Sequence, residues 1–285
     1  MGCRHAWRLT QGHQETEPAM SSSEELGVEE ASADSRGIAV DPNNPRAAEI
    51  VRELRARVDL SGLGSDICVV VGGDGFMLST IRQRGSRSVH LGVNAGRLGF
   101  LLNEVGDLDA MADQLRRRAW TVTAFPRLRI TAERTDGTTV TALAVNDLYM
   151  ERSTGQTAHL QMGINGDVVV SRLICDGLLV ATALGSTAYS YSAGGVPCHP
   201  QVRTVLVTPI APHVPRLTPM ALPTDAVVEV AALDCHRRPV RAVADGVDLG
   251  AVVRMRVEDA GDEIRLGFFD SHDFTRAMFR KVLRT

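Results

Sequence analysis

Lysine is almost absent: of 31 basic residues only Lys281 is a lysine, four positions from the C-terminus, and the rest are arginine. A P-loop needs a lysine that reaches the β- and γ-phosphates, and the protein-kinase strand lysine and Schiff-base mechanisms need one as well. These classes are excluded unless Lys281 served them. An excess of one charge is missing too. The 31 Lys and Arg face 34 Asp and Glu, for a net charge of −3, which excludes a strongly basic nucleic-acid binder. No apolar run approaches the ~20 residues of a membrane-spanning helix; the longest are stretches such as Ile67 to Val71 and Gly177 to Ala183. Cysteines number five, an odd count with no Cys-x-x-Cys pair, and the start carries no signal-peptide core. A reducing, cytoplasmic setting is expected rather than a disulfide scaffold.

What is present is a globular composition, 44% hydrophobic and 4% aromatic over 285 residues. At roughly 100 to 200 residues per domain this favours two domains. Residues 1–35 lack apolar periodicity and are expected to form a disordered extension. From Gly37 onward, short apolar runs at Ile38 to Val40, Ile67 to Val71 and Val89 to Val93 alternate with helical spacing at Arg46 to Val58, Phe76 to Arg84 and Asp107 to Arg118. Such alternation predicts parallel β-α-β units, hence an α/β domain over 36–123. Beyond Trp120 the period becomes two, with hairpin turns at Asp136-Gly137 and Asn165-Gly166 and strand-like spacing over Thr139 to Met150. A β-rich, sandwich-like domain is expected over 124–265. Helical spacing returns at Phe274 to Leu283, in a segment, 266–285, expected to pack back on the first domain.

Three stretches carry chemistry. Gly72-Gly73-Asp74-Gly75 stands where a buried strand should meet a helix, so the backbone can turn sharply and approach a ligand while the helix N–H groups favour phosphate. A carboxylate beside phosphates is electrostatically misplaced unless it binds a metal or accepts a proton from an attacking hydroxyl. A helix-capping Asp is the structural alternative. Asn146-Asp147 sits between apolar runs and needs partners, supplied either by a ligand or by a neighbouring turn. Asp176 leads through a strand into a Gly, Ser, Thr and Ala cluster ending at Gly195, with Tyr189 and Tyr191, whose small residues permit close approach of a flat ligand. A packed Ser/Gly turn would read the same way.

Together these stretches resemble the NAD kinase family over roughly residues 36–283. The resemblance rests on Gly37 to Pro45, the Gly-Gly-Asp-Gly turn, Asn94 to Leu101, Asn146-Asp147, Gly185 to Tyr189 with Ser192 to Gly195, Thr208 to His213, and Asp245-Gly246. It implies an N-terminal Rossmann-like α/β domain, a β-rich C-terminal domain and a terminal segment returning to the first. The implied reaction is phosphorylation of the 2′-hydroxyl of the adenosine ribose of NAD, with ATP or polyphosphate as donor and Mg²⁺ or another divalent cation. It also implies a homodimer or homotetramer, with no nucleic-acid or membrane partner.

By resemblance Asp74 is the general base and Gly75 lets the ligand come close. Asn146 and Asp147 hold the adenosine, Phe100 and Thr187 line the adenine, and Ala188, Tyr189 and Ser192 shape the pocket around it. Asp176 and Asp245 match acidic positions near the nicotinamide and phosphate-bearing portions, Ala211 belongs to the motif at Thr208 to His213, and His159 matches a further contact if one local insertion is allowed. No residue is assigned to metal. The chain departs from the family pattern at Phe76, Asp147, Ala183, Leu184, Thr218 and Val247, positions that bear on the donor and on NAD against NADH. A lipid kinase of the diacylglycerol type shares the acidic glycine turn, and a non-catalytic NAD(P) sensor is the alternative from a different class.

Overall fold

A computed structural model describes residues 37–97, 99–270 and 272–283. The extension expected over residues 1–35 lies outside the described residues. Strands β1 (Ile38–Val40), β2 (Ile67–Gly72) and β3 (Val89–Asn94) run parallel, with Val69 registered between Ile38 and Leu91. Every residue of β2 and β3 is buried, which is why both read as unbroken runs rather than alternating ones. Helix α1 (Pro45–Arg55) starts where the Asn44 side chain accepts a hydrogen bond from Arg46 N and Pro45 fixes the first turn. Its Ala47, Ile50, Val51 and Leu54 are buried against the sheet. Helix α2 (Asp74–Arg84) follows β2 directly, and α3 (Leu108–Arg117) is capped by Asp107.

The remainder is antiparallel. In chain order it contains β4 (Trp120–Arg134), β5 (Thr139–Ala144), β6 (Asp147–Arg152), β7 (Ala158–Ile164), β8 (Asp167–Cys175) and β9 (Gly177–Thr182). The short helix α4 (Tyr189–Ser192) is followed by β10 (Val205–Ile210), β11 (Met220–Leu222), β12 (Val228–Leu233), β13 (Val240–Ala244) and β14 (Val247–Phe269), and the described chain closes with α5 (Phe274–Leu283). Both expected hairpins form. Asn165 and Gly166 adopt φ of +53° and +88°, the two left-handed residues that a type I′ turn requires.

Thr139 to Met150 is not one strand. It breaks at Val145-Asn146, whose N–H groups bond the Asp245 carboxylate instead of a neighbouring strand. The long strand β14 gave no continuous signal in the sequence. It pairs antiparallel with β12, β13 and β4, then parallel with β3, and so joins the antiparallel part to the α/β part in one sheet. Between Asp259 and Glu263 its register against β4 slips, leaving Ala260, Gly261 and Asp262 opposite Arg127. Arg127 pairs with Asp262, and Arg129 donates to Ala260 O at 2.8 Å.

Helix α5 returns to the middle of the molecule. Phe274, Ala277 and Met278 pack on a cluster that includes Val70, Met77 and Ile81 from the first half and Val145 and Leu184 from the second. The Phe274 ring meets Phe125 and Phe268 edge-on, at centroid distances of 5.8 and 4.7 Å. No helix among the described residues is long and apolar enough to cross a membrane.

Candidate active site

The glycine turn closes β2 and opens α2. Gly73 is the N-cap of α2, with no side-chain cap bond, and Asp74 is the first helical residue. The Asp74 carboxylate therefore does not cap its own helix. Oδ1 accepts from Phe100 N and Leu101 N, both at 2.9 Å, and Oδ2 accepts from Phe100 N at 3.1 Å. This fixes the carboxylate across 26 residues of sequence. A Cβ added at Gly73 or Gly75 would meet nothing within 4 Å, and neither glycine has a positive φ, so the fold itself does not demand glycine there. The space beside both glycines is open. Gly72 differs, because a Cβ there would stand 2.8 Å from the Phe76 ring, which fills the room that a smaller residue at 76 would leave.

Asn146 and Asp147 are set by a second clamp. Asp245 and Gly246, at φ of +44° and +79°, form the two-residue turn between β13 and β14. The Asp245 carboxylate accepts from Val145 N at 2.7 Å, Asn146 N at 2.9 Å and Asp147 N at 3.2 Å. Burial raises the Asp245 pKa, against these three N–H groups and Arg82, which favour its charged form. Asp147 is 5% exposed. Burial, then the negative charge of Asp245, push its pKa up to about 7, opposed by the Tyr189 N–H and by Lys281. The clamp closes on the far side through Thr182, which donates from Oγ1 to Val145 O at 2.7 Å and accepts from Gly185 N at 3.0 Å.

On β6, Leu148 and Met150 enter the core while Asp147, Tyr149 and Glu151 alternate onto the other face. Tyr189 covers that face, its ring 5.0 Å from Tyr149 at 72°. Burial, then the proximity of Glu151 and Asp147, raises the Tyr149 pKa to about 12. Asp176 lies at the opposite end of β6, bound to Arg152 Nε at 2.8 Å and linked through its N–H to Ile210 O, next to Ala211. β6 is six residues long, so the two ends of this face stand about 15 to 20 Å apart.

The structure thus gathers Asp74, Gly75 and Phe100 in one group, and Asn146, Asp147, Asp245, Ala188 and Tyr189 in another, with Asp176 and Ala211 at the far end of the strand. Ser192 is exposed at the end of α4. His159 stands apart on β7, where Nδ1 lies 2.9 Å from Arg172 and 3.7 Å from Asp234. A separate cavity of 520 Å³, lined by residues such as Asn103, Glu104, Gln114, Arg276 and Arg280, contains none of the residues expected at the site.

Thr187 is 5% exposed, and its Oγ1 has no hydrogen-bond partner among the described residues. An orphaned buried hydroxyl costs about 1 to 3 kcal/mol unless a ligand satisfies it. Thr187→Val should therefore leave the melting temperature unchanged or slightly raised, while the KM for the adenosine-bearing substrate rises about 3- to 10-fold. An unchanged KM in steady-state assays would mean that the hydroxyl meets no ligand.

The family model described as the ATP-NAD kinase C-terminal domain matches residues 145–257. An NAD kinase of Xanthomonas oryzae is 34% identical over 243 residues, covering 84% of this chain and 93% of that protein. The chain belongs to the NAD kinase family. Among further NAD kinases, that of Zymomonas mobilis is 33% identical over 248 residues, covering 85% of this chain and 94% of its own. Two solved structures share the fold. Yeast NADH kinase complexed with NADH superposes with a TM-score of 0.68 at 24% identity, covering 77% of this chain and 66% of the yeast one. An Archaeoglobus fulgidus NAD kinase in complex with ATP gives 0.67 at 24% identity, with 87% and 97% covered.

In this NAD kinase family member Tyr149, Thr182 and Lys281 also stand near the candidate site, none of them among the residues expected from the sequence. Tyr149 and Thr182 had no signal beyond their strands. Lys281 did: it falls on the inward stripe of α5, seven residues after Phe274.

Proposed function

We propose that the open space beside Gly73, Gly75 and Asp74 is where a phosphoryl group passes from ATP to the 2′-hydroxyl of the adenosine ribose of NAD, giving NADP. The observation that carries this is the Asp74 carboxylate. It is fixed by two backbone N–H groups from another loop, spent on no cap, and flanked by two glycines whose Cβ positions the fold leaves open. Oδ2 takes the hydroxyl proton as the ribose oxygen forms its bond to the γ-phosphorus. The bond to the β,γ-bridging oxygen breaks, and that oxygen leaves with the electron pair as ADP. Asn146 and Asp147 hold the adenosine, Thr187 Oγ1 meets the adenine, and Asp176 with Ala211 lies toward the nicotinamide end.

Phosphoryl transfer also calls for a divalent cation. Among the described residues no group of three or more His, Cys, Asp or Glu is placed to hold a metal ion. A Mg²⁺ carried on the donor's phosphates would supply charge neutralisation. We further infer a cytoplasmic homodimer or homotetramer. Support comes from β8, which pairs with β7 and leaves Val168 and Val169 half exposed at 55% and 50%.

The test is an endpoint assay of the purified chain with NAD and Mg²⁺, supplied with ATP or with polyphosphate and coupled to an NADP-specific dehydrogenase. NADP formation with ATP is the expected result. Tight NAD binding without product would replace the enzyme by a sensor.

A further inference from the structure

Helix α5 turns Phe274, Ala277, Met278, Lys281 and Val282 inward, the i, i+3, i+4, i+7, i+8 stripe of a docked helix. The fourth of these positions calls for an apolar side chain. It holds the chain's one lysine instead, with only 25% of the side chain exposed. Burying an ammonium is costly unless it is paired, so its partners define its purpose. Nζ lies 3.7 Å from Asp74 Oδ2 and 5.0 Å over the Phe100 ring. Asp74 Oδ1 already accepts two N–H groups at 2.9 Å, whereas Oδ2 has the longer contact to Phe100 N and this ammonium. Oδ2 is therefore the oxygen available to a substrate proton, and Lys281 is the group that aims it.

The same ammonium answers a charge problem. Asp74, Asp147 and Asp245 surround a place proposed to receive a dinucleotide and a triphosphate, and like charges there would oppose binding. Arg82 acts on Asp245, and Lys281 acts on Asp147 as well as on Asp74. We propose that Lys281, delivered by α5, is a positioning residue for phosphoryl transfer: it orients Asp74 Oδ2 and offsets the carboxylates against the substrates' phosphates. This rests on the function proposed above.

Asp147 gives a readout that packing alone would not move. It faces Asp245 from the β13–β14 turn, the Tyr189 N–H and ring from α4, Tyr149 and Glu151 along β6, and Lys281 from α5. Lys281 favours its charged form, so without the ammonium Asp147 titrates at still higher pH. The acid limb of kcat/KM should then move upward in pH.

The full chain should be compared as wild type, Lys281→Met and Lys281→Arg, measuring kcat, KM for NAD, the pH profile of kcat/KM and the melting temperature. Lys281→Met should lower kcat about 10- to 100-fold, the size of a lost part-buried ion pair, with a smaller change in KM. Its acid limb should move to higher pH, and Lys281→Arg should recover most of the rate. Wild-type kcat in Lys281→Met would overturn the inference. So would a loss that tracks a lower melting temperature with the pH profile unmoved, or an Arg variant as slow as the Met variant. A wild-type chain that forms no NADP would overturn the function, and the inference with it.

Discussion

Asp74→Asn should lower kcat about 10²- to 10⁴-fold, the range attributed to a general base, while NAD affinity stays close to that of the wild type. The substitution is nearly isosteric. An amide oxygen in place of Oδ1 can still accept from Phe100 N and Leu101 N, both at 2.9 Å, so the turn and the Asn94 to Leu101 segment keep their places. What is lost is the basicity of the other oxygen. The amide nitrogen that replaces Oδ2 cannot take a proton, and it would face the Lys281 ammonium donor to donor. Turnover should be followed by the coupled assay and affinity by calorimetry on the same preparation. A variant that makes NADP at the wild-type rate would remove Asp74 from the chemistry. One that no longer binds NAD would make it a binding group.

Gly185→Ala should disable the site from the structural side. A Cβ there would lie 2.0 Å from Asn146 O and 2.4 Å from Asn146 C, backbone against backbone, so no rotamer change can relieve the clash. The turn at Leu184–Thr187 would have to separate from the start of β6, breaking the Gly185 N to Thr182 Oγ1 bond and disturbing the Asn146–Asp147 pair. Overpacking of this kind costs about 1 to 3 kcal/mol or more. For a chain of this size that is roughly 2 to 12 °C in melting temperature. KM for NAD should rise at least about tenfold, because each 1.4 kcal/mol of lost binding is a factor of ten. Gly75→Ala is the contrast: open space surrounds its Cβ, and its melting temperature should hold. A Gly185→Ala protein with wild-type stability and KM would show that the two segments are not held against each other.

The α/β half was legible because its signals are local. β2 and β3 are buried on both faces and read as apolar runs, and the ends of α1 and α3 carry their own caps at Asn44 and Asp107. The hairpins at Asp136-Gly137 and Asn165-Gly166 were legible for the same reason. β14 was not, since Glu258 to Glu263 contains four acids and a glycine whose place in a strand depends on partners in β4. At the site, the sequence showed which residues were out of place but not what held them. Asp245 matched an acidic family position near the ligand, yet its carboxylate is committed to three backbone N–H groups, a clamp that only the fold reveals. Lysine was discounted because its one instance stands near the chain end, and the return of α5 brings that end to Asp74.

The slip in β14 has a consequence for how the family can vary. Asp245 stands in the turn that opens β14, and Asp74 follows β2, which β3 joins to the other end of β14; between them β14 slips register where Ala260, Gly261 and Asp262 stand opposite Arg127. Extra residues of this kind set the local twist and bend of a strand. The spacing between Asp74 and the Asp245 clamp thus depends on a few residues in neither group. Insertions and deletions should be tolerated at the tip of the β7–β8 hairpin, whereas one residue gained or lost at 260–262 should shift the Asp245 clamp against Asp74.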